Sequence, residues 1–140
     1  CQFAEVTPAV NQVETHVFQQ QKTAHEYMKK YGVQHQSWGP FAEGRGGFFE
    51  NPVLVQLGAK YGKSTAQVAL RFLLQSDVVV IPKSVRKERM EENLNVFDFT
   101  LREEDMDAIR ALDTGKSLFF SHYDPQTVEM LTNMGKTRQV

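Results

Sequence analysis

Four consecutive apolar residues, Val78-Val79-Val80-Ile81, constrain the fold of this chain more than any other feature. Three are β-branched valines and the run has no polar alternation, the pattern of a parallel strand buried on both faces. Pro82 ends it, and a helical pattern from Arg86 to Phe97 follows, with Met90, Leu94 and Phe97 expected inward. Upstream, Ala9–Glu14 and Val33–Trp38 read as two more strands, with Lys22–Tyr31 helical between them and Gly32 as its stop. Ala24, Tyr27, Met28 and Tyr31 share one face of that helix and are expected in the core.

Asn51-Pro52 is an N-cap and first-turn pair for a helix closed by Gly62. Ser64 with Gln67 forms a capping-box pattern opening a mostly apolar helix to Gln75. Thr100 with Glu103 repeats that pattern before a helix carrying Met106, Ile109 and Leu112. After Asp113 the pattern dissolves, and 132–140 is expected to be a loose tail behind a single unit over 1–131. Strands alternating with helices predict βαβ units and an α/β fold with a parallel sheet. Three strands leave two open edges, and the chain opens on Cys1 without an initiator Met, so a piece of something longer is expected.

The 140 residues carry a net charge of −1, which offers no basic field for nucleic acid or an anionic membrane. No apolar run approaches a membrane span, and no signal-peptide pattern opens the chain. A single cysteine allows no internal disulfide and suits a reducing cytoplasm.

Chemistry concentrates where the third strand feeds its helix, at Pro82-Lys83-Ser84-Val85-Arg86-Lys87-Glu88-Arg89. Free backbone N–H groups and the helix dipole meet Lys83, Ser84, Arg86 and Arg89 there, which suits a phosphate monoester. The rival reading is a solvated charged turn. Trp38 ends a strand and is either a stacking face for a planar heterocycle or plain core. Asn11 and Gln12 are amides in a strand expected to be buried, so one fixes a ligand amide or both pair with neighbours. Gly44-Arg45-Gly46-Gly47 reads as a flexible flap from which Arg45 reaches a phosphate. His16, His25, His35 and His122 share no metal-ligand spacing and read as surface or structural. Cys1 lacks a base partner, and Glu91-Glu92 and Glu103-Glu104-Asp105 read as helix-surface charge.

Five motifs in order, Pro8–Glu14, Ser37-Trp38-Gly39-Pro40-Phe41, Ser64–Arg71, Ile81-Pro82-Lys83-Ser84 and Glu91-Glu92-Asn93-Leu94, resemble the aldo-keto reductases. The likeness is to the bacterial branch that reduces small aldehydes, diketones and keto sugars. It implies the C-terminal half of a (β/α)₈ TIM barrel, strands six to eight with their helices, binding NADPH. By the same resemblance Gln12 holds the nicotinamide carboxamide and Trp38 stacks on the nicotinamide. Gly39, Pro40 and Phe41 line the pyrophosphate, with Gly39 standing where a serine is common. Lys83, Ser84 and Arg89 clamp the adenosine 2′-phosphate, and Glu92 and Asn93 meet the adenine. The family's catalytic Asp, Tyr, Lys and His match no position here, nor does its Ser-Asn pair. The resemblance therefore implies a fragment of an NADPH-dependent aldehyde or ketone reductase, inactive alone. It would pair with a missing N-terminal half-barrel or with itself. The alternative is a non-catalytic nucleotide-binding or self-associating module.

Overall fold

A computed structural model describes residues 4–121 and 123–136. Three parallel strands form one sheet: β1 (Val10–Glu14), β2 (Gln34–Trp38) and β3 (Val79–Val80), in the order β1-β2-β3. Val10 lies opposite Gln34 and Glu14 opposite Trp38, while Gln36 and Ser37 face Val79 and Val80. Helix α1 (Lys22–Lys30) crosses from β1 to β2. A kinked single-turn segment (Ala42–Gly47), α2 (Pro52–Tyr61) and α3 (Thr65–Gln75) cross from β2 to β3. Helices α4 (Lys87–Leu94), α5 (Glu103–Arg110) and α6 (Pro125–Lys136) follow.

Local chemistry sets the helix ends. Asn51 Oδ1 accepts from the backbone N–H of Val53 and Leu54, Pro52 occupies the first turn, and Gly62 closes α2 at φ +63°. Ser64 Oγ accepts from Gln67 N at 3.3 Å while Gln67 Oε1 accepts from Ser64 N at 3.0 Å, a complete capping box for α3. Gln67 is itself buried, and its Nε2 donates to Glu92 O and Asn95 O, tying the start of α3 to the end of α4. Gly58 allows α2 to approach the next turn: a Cβ there would lie 2.6 Å from Lys63 O.

The core gathers Leu54 and Leu57 of α2, Val68, Ala69, Phe72 and Leu73 of α3, and Met106 and Ile109 of α5. Val17, Phe18, Phe48 and Val78 complete it from the strand ends and loops. Polar anchors join it at the rim. Asp105 accepts from Lys60 Nζ and from Tyr61 Oη at 2.5 Å, so α5 is bolted to the end of α2. Burial works to raise the Asp105 carboxyl, but its bonds to Lys60 and Tyr61 outweigh it and hold the group below the usual carboxylate range. Asp105 is thus a buried tie and not the surface charge expected of the Glu103-Glu104-Asp105 run.

Several expected burials are absent, for one reason: both sheet edges lack a neighbouring strand among the described residues. Asn11 and Gln12 on the outer strand β1 are exposed, and Gln12 Nε2 donates across the sheet to Gln36 Oε1 at 2.6 Å. Tyr27 and Tyr31 are exposed on α1, leaving Met28 as its buried residue. Around β3, Val78 just before it is buried, but Val79 and, just beyond the strand, Ile81 stand in the open, so this stretch is covered on one face only. Helix α4 ends at Leu94 with Met90, Leu94 and Phe97 exposed, and Val96 takes the inward place. Thr100 does not cap α5, whose N-cap is Arg102. Its hydroxyl instead accepts from Arg71 Nη2 at 3.2 Å. At the C-terminal end α6 carries helix through Lys136, into the stretch expected to be a tail, while 137–140 lie outside the described residues. Among the described residues no helix is long and apolar enough to cross a membrane.

Candidate functional site

Two clefts open where the strands deliver the chain to its loops. The larger, about 820 Å³, lies at the ends of β1 and β2, lined by Gln12, Glu14, Gln21 and Trp38 on one side. The opposite wall is the segment after α5, with Ser117, Phe119 and Phe120. The smaller, about 320 Å³, lies beyond β3 between the N-terminal ends of α3 and α4. Phe41, Lys83, Ser84, Arg89, Glu92 and Asn93 line it together with Ser64 and Thr65.

The structure therefore brings most of the expected residues together, in two groups. Lys83, Ser84, Arg89, Glu92 and Asn93, spread over eleven positions, converge with Phe41 from a distant loop. Among the described residues neither Lys83 nor Arg89 has an ion-pair or hydrogen-bond partner for its side chain, unlike Arg86, which leans toward Glu88, and Lys87, which faces Glu91. Ser84 Oγ accepts from Arg86 N at 3.1 Å, which shapes the turn into α4. Lys83 and Arg89 line the cleft beside the positive ends of two helices, against the single carboxylate of Glu92, so the cleft has an excess of positive charge that an anion would relieve.

Gln12 and Trp38 belong to the other cleft. Gly39-Pro40-Phe41 run between the two: Gly39, at φ +66°, abuts Phe119, Pro40 is buried, and Phe41 faces the smaller cleft. Trp38 is half-buried, meeting Phe119 edge-on at 4.9 Å between ring centres and Phe120 in an offset stack at 6.3 Å and 20°. Its ring thus lines the cleft, packed against Phe119 and Phe120, and is not a fully buried core side chain. Arg45 does not point at the smaller cleft. Its Nη1 donates to Leu118 O at 2.9 Å and its guanidinium covers Phe119 at 4.3 Å.

Glu14, unnoticed in the sequence, organises the larger cleft. Its carboxylate accepts from Ser117 Oγ at 2.5 Å, from Leu118 N at 3.0 Å and from His16 Nε2 at 3.0 Å. The His16 tautomer follows from its other nitrogen, Nδ1, which accepts from Phe18 N, so the proton sits on Nε2. Burial lowers the His16 pKa against the opposing pull of Glu14, which keeps the ring neutral. No local signal exposed this arrangement, because Ser117 stands 103 positions from Glu14.

His25 and His35 are also structural. Thr15 Oγ1 donates to Val13 O and meets His35 Nε2 at 2.8 Å, so His35 donates there and accepts from His25 through Nδ1 at 3.0 Å. Burial, then the facing His25, lower the His35 pKa to about 4. Cys1 and His122 lie outside the described residues. Among the described residues no group of three or more His, Cys, Asp or Glu is placed to hold a metal ion.

Fold and clefts together define a parallel α/β protein with two clefts at the C-terminal ends of its strands, where open α/β sheets bind ligands. The profile of the Aldo/keto reductase family matches residues 2–114, and the chain belongs to that family. It is 47% identical over 110 residues to glyoxal reductase of Bacillus subtilis, covering 79% of this chain and 39% of that protein. It is 43% identical over 113 residues to methylglyoxal reductase DkgA of Escherichia coli, covering 81% of this chain and 41% of that one. Among solved structures, a variant of Gox0644 in complex with NADPH superposes with a TM-score of 0.78 at 36% identity, over 83% of this chain and 42% of that one. The chain thus spans about two fifths of the length of the curated relatives it matches.

Proposed function

We propose that the chain is the C-terminal half-barrel of an NADPH-dependent aldo-keto reductase, holding the cofactor for a parent protein that reduces small aldehydes or ketones to alcohols. The observation that carries this reading is the convergence of two unpartnered cations, Lys83 and Arg89, with Ser84 and Asn93 in one cleft. A 2′-phosphate is a dianion of the size such a cleft takes, and charge-assisted bonds are the strong ones. Lys83, Ser84 and Arg89 would hold that phosphate, with Glu92 and Asn93 beside the adenine. The chain then leads along Gly39-Pro40-Phe41 to Trp38 and Gln12 at the nicotinamide end. The bound cofactor supplies the hydride. Among the described residues only the Nε2 of Gln12 is engaged, which leaves its amide oxygen to meet a carboxamide. Relatives bearing the names methylglyoxal reductase and glyoxal reductase support a small carbonyl substrate.

Hydride transfer to a carbonyl also requires a proton for the developing alkoxide. The Tyr61 hydroxyl, tied to Asp105 beneath α5, lines neither cleft. Tyr123 and Lys116 do line the larger cleft, but neither matches an acid–base position of the family, so in our reading the parent's acid–base residues come from outside this chain. The rest of the barrel would cover the two apolar faces that flank the sheet edges, Val10, Tyr27 and Tyr31 on one and Val85, Leu94 and Phe97 on the other. We place the parent in the cytoplasm, where one unpaired cysteine is stable.

The test is direct. The chain is mixed with NADPH, and with NADH as control, while nicotinamide fluorescence is followed. Preferential binding of NADPH without consumption of glyoxal is the expected result. Turnover of glyoxal by purified chain, or equal binding of the two cofactors, refutes the reading.

A further inference from the structure

Gln12 and Gln36 stand opposite each other in the β1-β2 register, and the next pair on the same face of the sheet is Glu14 with Trp38. Gln12 Nε2 donates to Gln36 Oε1 at 2.6 Å. Little else is within reach of the Gln36 amide. Its partner on the other side is Val79, which offers no polar side chain. Gln34, its neighbour on the same face of β2, is turned onto the backbone carbonyls of His35 and Asp77. Among the described residues the contact between Gln12 and Gln36 is the one hydrogen bond that either side-chain amide makes. Gln12 lines the larger cleft, while Gln36, half-buried between the outer strands, does not.

A glutamine amide that nothing holds turns over, exchanging its donor and acceptor ends by a half-rotation about its last side-chain bond. The bond to Gln36 selects one of the two orientations, because it takes up the nitrogen and leaves Oε1 as the acceptor. We infer that Gln36 is a positioning residue, setting the polarity of the Gln12 amide so that its oxygen receives the NH₂ group of a ligand carboxamide. Gln36 touches no expected ligand and acts through Gln12. The identity of that ligand rests on the proposed function; the polarity of the amide does not.

The polarity is measured first without any cofactor, by NMR of the isotope-labelled chain, with Gln12→Met identifying the side-chain amide signals of Gln12. One of those protons is expected downfield of its place in a free glutamine. Gln36→Met, similar in length but a poor acceptor, should return it there. Gln36→Glu, which at neutral pH only accepts, should keep it downfield. NADPH is then titrated beside adenosine 2′,5′-bisphosphate, which lacks the nicotinamide. Gln36→Met should weaken NADPH roughly three- to tenfold, the loss of one hydrogen bond, and leave the bisphosphate unchanged. Gln36→Glu should bind both as the wild type does. A Gln12 signal unmoved in Gln36→Met overturns the inference. So does a signal returned to the free position in Gln36→Glu, since the bond then runs from Gln36 to Gln12; that variant serves alone should Gln36→Met fold poorly. Equal losses for NADPH and the bisphosphate, or none for NADPH, also overturn it. A wild-type chain that binds neither nucleotide refutes the proposed function instead, and the amide signals still decide the polarity.

Discussion

Glu14 Oε2 accepts a 2.5 Å hydrogen bond from Ser117 Oγ, joining the last residue of the first strand to a loop 103 positions later. The same carboxylate takes Leu118 N and His16 Nε2, so one buried acid closes the large cleft from below. Ser117→Ala removes one bond to the carboxylate and the acceptor for two backbone N–H groups. It should lower stability by about 1–3 kcal/mol in urea unfolding. A loss below a few tenths would mean that water replaces the hydroxyl without cost.

Stability should depend on pH through His35. Unfolded, its imidazole titrates near 6.5; folded, near 4. Between those values the unfolded chain binds the extra proton, so stability is fully present above pH 6.5, declines as pH falls, and levels off below about 4. A depression of that size corresponds to about 3 kcal/mol. His16, lowered by burial, acts in the same direction. Urea midpoints measured from pH 7.5 to 3.5 should trace the decline, and His35→Asn should flatten most of it. An equally steep curve in that variant would remove His35 as the cause.

Lys83→Ala with Arg89→Ala, made in the intact parent, should weaken NADPH much more than NADH. Each cation contributes about 1.5–3 kcal/mol through a charge-assisted contact to the 2′-phosphate. Parallel losses for both cofactors would show that the pair does not read that phosphate.

Gly58→Ala tests the close approach of α2 to the turn that follows it. The added methyl would meet Lys63 O at 2.6 Å, a backbone atom that cannot step aside cheaply. Destabilisation of about 1–3 kcal/mol is expected despite the better helix propensity of alanine. A neutral or stabilising result in thermal melts would show that the turn relaxes.

Two apolar faces without cover should keep the isolated chain from behaving as a free monomer. Val10, Tyr27 and Tyr31 flank one sheet edge, and Ile81, Val85, Leu94 and Phe97 the other, and among the described residues no strand pairs with either edge. Light scattering at micromolar concentration should find self-association or an attached partner. A well-folded 16.0 kDa monomer with a cooperative transition would contradict this.

Local rules settled a good deal of this protein in advance. The Asn51-Pro52 cap, the Ser64–Gln67 box and the Gly62 stop depend on neighbours within a few residues, and each formed as its chemistry demands. The parallel pairing of the three strands likewise follows from alternating strands and helices. Burial was a different matter. A strand of valines states that it wants cover, not that cover is present, and Val79 and Ile81 remain open because no further strand among the described residues lies beside them. The same holds for Tyr27, Tyr31, Leu94 and Phe97. Lys83, Ser84 and Arg89 were legible as one group because they share a turn and the helix it opens, while Glu92 and Asn93 entered only through the family resemblance. Glu14 with Ser117, Arg45 with Phe119, and Asp105 with Tyr61 were not. Those pairs depend on where separate loops meet in space, a property of the folded backbone that no spacing along the chain encodes.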